Sequence, residues 1–253
     1  MGADPCQGTE GPPRSAILDP EVSVGTVILA CDMLKLELEK AMAETGCGLP
    51  VHWLDTHETH SSPEKLRLQL QGALDGLEGV ERVLLAFGYC GNALLGLRAG
   101  DFELIFPRVD DCISLLLGSC ARRQEIAQEA QSYFMTQGWV DSPLNLWEEY
   151  RRQRPRLVAR WGEERAERAL RAAMMPEHYK RLVLIDTGAF KVEEVRTRTE
   201  EIARGFGLRH EVLPGTTDYL RRLILGPWGE GFVTVGPGNV VLFEHVVGKP
   251  LQQ

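Results

Sequence analysis

The chain has 253 residues, 43% of them hydrophobic and 25% charged, with a formal net charge of -8. That length and balance exclude wholesale disorder and supply a sizeable core without an external staple. The acidic balance disfavours nucleic acid and anionic membrane surfaces as partners and leaves small molecules or proteins, and no apolar run approaches the roughly 18 residues of a membrane span.

Residues 1–22 carry acidic and proline residues where a signal peptide needs a basic start and an apolar core, so they read as a flexible leader and the expected location is the cytoplasm. Six cysteines in such a chain read as thiols, ligands or small buried apolar residues rather than a disulfide framework.

TVILAC is a short β-branched run, and the stretch after it has Leu34, Leu38 and Met42 at helical spacing and stops at Gly46, which predicts a strand and then a helix. LPVHWLD repeats the strand pattern. The helix after it starts with Ser62 as N-cap and Pro63 in the first turn. VERVLLAFGYC is a third strand, GNALLGLRAG is too glycine-rich for a helix, FELIFPRVDD is a fourth strand, and CISLLLGS is a short buried helix. Alternation of this kind predicts a parallel sheet with crossover helices.

ARRQEIAQEAQ then reads as a polar helix and SYFMTQGWV as a strand or ordered loop. The Arg- and Glu-rich stretch from Asn145 to Met175 reads as a helical excursion interrupted at Pro155, with solvated charged faces or an anion-binding arginine cluster as the two alternatives. RLVLIDTG, KVEEVRTRTEEIARGFG, LRHEVLPG, TDYLRRLILGPW and GFVTVGPGNVV repeat a βαβαβ order. The expected fold is α/β, mostly parallel, with two Rossmann-like lobes. Its divisions are a leader at 1–22, a first lobe at 23–120 carrying the cysteines, a helical excursion at 121–180, a second lobe at 181–240 and a tail at 241–253.

Cys31, Cys90 and Cys112 each stand where an apolar run gives way to a helix-like stretch. If those runs are parallel strands, their carboxyl ends share the edge where open α/β sheets place ligands, and the three cysteines converge. A thiolate is useful near neutrality only with a lowered pKa or a metal. Asp32, Asp110 and Asp111 would raise a free thiol's pKa but favour a bound cation. Three thiolates with His60 or solvent as the fourth ligand suit zinc or another thiophilic metal. No CxxC pair occurs, and each cysteine viewed alone is equally a small buried hydrophobe.

His52, His57 and His60 crowd the HWLDTHETH segment, and His60, at the entrance of a helix, is placed to ligate or to move a proton; Asp111 is the other acid–base candidate. In GYCGN, Gly88 and Gly91 would let backbone N–H groups approach a bound anion, and Asn92 would hydrogen-bond a substrate, unless Gly-Asn is only a turn pair. Asp186 and Thr187 are ligand-edge candidates in the second lobe, with helix capping as the plainer reading. Neither GxGxxG nor GxxxxGK[ST] occurs.

ACDML, the segment from His60 to Leu66, FGYCGNALLGL, PRVDDCISLLLGS, TQGW and HYKRLVLIDTG together resemble the family called domain of unknown function 1638, over residues 25 to 238. The resemblance implies an association with anaerobic one-carbon metabolism and corrinoid-dependent methyltransferase systems. Within the family pattern the cysteines fall in recognisable blocks at Cys31, Cys90 and Cys112, whereas SCARRQEIAQEAQSYFM departs from it.

The leading expectation is a metal-binding protein that handles a methyl group, a thiol or a corrinoid-related substrate, with a corrinoid protein or methyltransferase as partner. A metal-independent cysteine acid–base enzyme of racemase type is the second expectation, although all three cysteines fall in the first half of the chain. A non-catalytic protein that binds or delivers a metal or corrinoid is the third.

Overall fold

Strand β1 (Thr26–Cys31) is buried at every position, as a strand covered on both faces must be. It lies inside a five-stranded sheet of order β2-β1-β3-β4-β8, where β2 is Val51–Leu54, β3 Arg82–Ala86, β4 Glu103–Pro107 and β8 Phe232–Val235. The first four strands are parallel and β8 pairs antiparallel with β4. The computed structural model describes residues 25–60, 62–143, 145–174 and 179–247. The leader expected at 1–22 lies outside them, as do residues 248–253 of the expected tail.

The helices that cover this sheet form for local reasons. Helix α1 (Lys35–Thr45) closes on Gly46 in the left-handed conformation at φ 65°. Helix α2 (Pro63–Asp75) opens with Ser62 accepting from the Lys65 N–H and with Pro63 in its first turn. It buries Leu66, Leu70 and Leu74 on one face, each such burial contributing about 1.5–3 kcal/mol. The amphipathic helix at Asp218–Leu225 buries Tyr219, Leu220, Leu223 and Ile224 and packs on α1, β3 and β4.

The chain divides into two units, one formed by residues up to Arg123 together with those from Gly215 onward, the other by Gln124–Pro214. This corrects the expected second lobe at 181–240: residues 215–240 belong with the first unit, because β8 takes the free edge of β4. The second unit has a parallel sheet of order β5-β6-β7, formed by β5 (Ser132–Met135), β6 (Arg181–Asp186) and β7 (Arg209–Pro214). The expected helical excursion at 121–180 therefore contributes a strand of its own, β5.

The expected break at Pro155 is absent. One helix runs from Leu146 to Trp161 through the proline, and the chain turns instead at Gly162, where φ is 79°. Trp147 stacks on Tyr150 at 5.0 Å and both meet Phe206 edge-on, so tertiary packing holds the helix across the missing proline N–H. The charged faces are laced by ion pairs. Arg154 meets Glu163 and Glu167, and Glu167 also accepts from the Tyr150 hydroxyl, as expected of a solvated surface. Among the described residues no helix is long and apolar enough to cross a membrane.

Candidate functional site

Because β1, β3 and β4 are parallel neighbours, their carboxyl ends lie along one edge. The order β2-β1-β3 puts the topological switch between β1 and β3, where open α/β sheets form their ligand crevice. Cys31 is the last residue of β1, Cys90 lies in the loop leaving β3, and Cys112 begins the short helix Cys112–Leu117 after β4.

The loops bearing Cys90 and Cys112 are zipped together. The Tyr89 N–H donates to the Val109 carbonyl at 2.9 Å and the Cys90 N–H to the Asp110 carbonyl at 3.0 Å. Gly88 passes so close to the second loop that a Cβ there would stand 2.4 Å from the Asp111 carbonyl carbon, a requirement only glycine meets. Cys90 itself is held in the left-handed region at φ 45° and Asn92 at φ 72°. A non-glycine residue in that region costs about 1–3 kcal/mol, so the surrounding contacts must impose it.

The electrostatics of the three thiols differ. A hydrogen bond from the Cys112 thiol, seconded by backbone hydrogen bonds from Cys112 and Gly88, draws the Cys90 pKa below the ordinary thiol value against the opposing effects of burial and of Asp111. Cys112 moves the other way: its proton is held in the bond to Cys90 and burial adds to the rise. Cys31 is pushed up to about 12, chiefly by burial, while a contact of 3.2 Å with the Thr56 hydroxyl opposes the rise. Both Cys90 and Asp32 contribute only small increases at Cys31, and Cys112 senses Cys31 as well as Cys90, so the three thiols share one electrostatic neighbourhood.

The carboxylates around them are already engaged. Asp111 caps the Cys112 helix by accepting from the Ser114 N–H at 2.8 Å and pairs with Arg123 at 2.9 Å, which makes it a positioning group. Asp32 accepts from the Thr56 N–H at 3.1 Å and its hydroxyl at 3.0 Å, and its other oxygen lies 3.2 Å from His57 Nε2. Among the described residues, the group of three metal-competent side chains whose ligand atoms all lie within 4.8 Å of one another is Asp32, Asp55 and His57; the three thiols do not form such a group.

His60 is half-buried and its pKa is lowered, burial outweighing the attraction of Asp111 and Asp32. It therefore stands near the acidic edge without joining a ligand group. Gly91 and Asn92 are exposed and, with Tyr89, Asp110, Asp111 and Arg123, line a cleft of about 330 Å³ beside Cys90. Asp186 ends a strand of the second unit and Thr187 follows it. The Gly188 N–H donates to the Asp186 carboxylate at 2.9 Å, and the Ala189 N–H to the Thr187 hydroxyl at 3.4 Å, which is local turn capping.

Sequence reasoning passed over Asp55 and the role of Thr56. The DTH triplet was visible, but its coupling to Asp32 depends on β1 and β2 lying side by side with Cys31 opposite Leu54.

Fold and site together define an open, mostly parallel α/β protein with a thiol cluster at the carboxyl edge of its larger sheet. The chain belongs to the family described as a protein of unknown function (DUF1638), whose model matches residues 53–224. Cys90, Cys112 and His60 fall inside the matched stretch and Cys31 precedes it. No curated protein and no solved structure matches the chain.

Proposed function

We propose that this protein holds a thiophilic metal ion, zinc or one like it, on Cys90 and Cys112 with Cys31 as a third thiolate, and uses the site to handle a small thiol- or methyl-bearing substrate, corrinoid-related molecules included. The observation that carries this reading is the backbone zipping of the loops that bear Cys90 and Cys112 at the sheet's carboxyl edge. Two thiolates on loops held side by side would suit a zinc site with Zn–S distances of about 2.3 Å. Cys31 would be the third ligand on giving up its contact with the Thr56 hydroxyl.

The bound ion would supply Lewis-acid activation of a thiol or water. The chain's own contributions are separate from that. Cys90 is the thiol most readily deprotonated, Cys112 releases its proton on ligation, and the left-handed turn at Cys90 and Asn92 presents the substrate cleft. His60, whose pKa burial lowers, is a base beside the acidic edge and would take up a released proton at its ring. A corrinoid protein or methyltransferase is the partner this chemistry fits.

A second metal position is favoured by one observation, the clustering of Asp32, Asp55 and His57, whose oxygen and imidazole ligands suit a harder ion. The racemase-type reading is weakened because it needs thiols facing each other across a substrate, whereas Cys90 and Cys112 hydrogen-bond to one another. Metal analysis of anaerobically purified protein tests the proposal. The wild type should carry about one ion per chain and the Cys90→Ser variant under about a tenth of that. Negligible metal in both overturns it.

A further inference from the structure

We propose that Cys90 and Cys112 are also a thiol–disulfide exchange couple, reducing a small-molecule disulfide and closing into an intramolecular disulfide when no metal occupies them. The inference shares its residues with the reading above but stands whether or not a metal binds.

The backbone pairing holds the loops that carry the two residues side by side. Neighbouring strands run about 4.8 Å apart, and disulfides span Cα separations of about 4.4–6.8 Å. The loops after β3 and β4 keep that neighbourhood beyond the strands through the Tyr89-to-Val109 and Cys90-to-Asp110 hydrogen bonds and the close passage of Gly88 against Asp111. The Cys112 backbone N–H and its thiol both address the Cys90 sulfur.

Exposure assigns the order of events. Cys90 is half-buried between Tyr89 and Gly91 of the cleft, while Cys112 is 6% exposed. An incoming disulfide therefore meets Cys90 first. The Cys90 thiolate attacks one sulfur of RSSR, a Cys90–SR bond forms, the S–S bond of RSSR breaks, and RS⁻ leaves. Cys112 then gives its proton to solvent and its thiolate attacks the Cys90 sulfur, which forms the Cys90–Cys112 bond and expels the second RS⁻. Two protein thiols are oxidised, one RSSR is reduced, and the two protons end on two RSH. Cys31 is left out because its sulfur is buried against the Thr56 hydroxyl.

The test is anaerobic titration of the full, chelator-treated chain with glutathione disulfide, followed by peptide mapping under non-reducing conditions. The wild type should yield a Cys90–Cys112 bridge and two glutathione thiols per bridge, and Cys112→Ser should stop at a mixed disulfide on Cys90. Cys90→Ser should slow disulfide consumption by at least about tenfold. A pair that stays reduced, or a bridge that joins Cys31 to either residue, overturns the inference. A chain that carries no metal yet forms the bridge would sink the metal reading alone.

Discussion

The two sheets of this protein are built from the same parallel strand–helix units, yet their carboxyl edges differ in kind. In the second sheet, Asp186 and Thr187 satisfy the backbone of their own turn. In the first sheet, three strand ends each deliver a thiol, two loops are locked together by backbone hydrogen bonds, and Cys90 is forced into the left-handed region. The difference teaches that strand-end position marks a site only when the side chains there are left to one another instead of to their own backbone.

The largest contrast is expected in metal affinity. Cys90→Ser or Cys112→Ser should weaken binding by more than about a hundredfold, beyond the range of outer-shell partners, while Asp186→Ala leaves it unchanged in a competition titration with a chromophoric chelator. Equal losses in the two sheets would break the contrast.

Next comes the locking of the loops. Gly88→Ala should destabilise the chain by about 1–3 kcal/mol in urea unfolding, because its Cβ has no room beside the Asp111 backbone, and should also abolish metal binding. Wild-type stability in that variant would show that the close passage is not needed.

The smallest effect is a shift along the pH axis. Cys90 should alkylate with a midpoint below the ordinary thiol value, and Cys112→Ser should move that midpoint up, since the principal donor to the thiolate is gone. The sign follows from linkage. A lowered Cys90 pKa contributes stability that is present above the unfolded thiol value and lost as pH falls through the folded one. An unchanged midpoint in the variant would remove Cys112 from the account.

Much of the fold is legible in the sequence because apolar runs and helical spacing alternate, and the strands at Thr26–Cys31, Arg82–Ala86 and Arg181–Asp186 stand where those patterns predict them. The antiparallel return of β8 to β4 is not legible, since pairing between segments more than a hundred residues apart leaves no local signal and chain order suggests the other sheet. The unbroken helix through Pro155 is hidden for a related reason: aromatic packing from Trp147, Tyr150 and Phe206 outweighs a local propensity.

At the site, the placing of Cys31, Cys90 and Cys112 at or after the carboxyl ends of three parallel strands follows from strand-end logic alone. The roles of the acids do not. Asp111 stands directly before an apolar helical run, which is an N-cap signature, and its pairing with Arg123 takes up the rest of its charge. Asp32, Asp55 and His57 meet through Thr56 only because β1 and β2 pair in register.

X-ray absorption at the zinc edge of the zinc-loaded full chain tests the central claim most directly, because it counts sulfur neighbours. Ligation by the cysteines gives two or three sulfur scatterers at about 2.3 Å, falling by one in Cys90→Ser. A shell of oxygen and nitrogen alone, unchanged in that variant, would contradict it and place the ion on Asp32, Asp55 and His57.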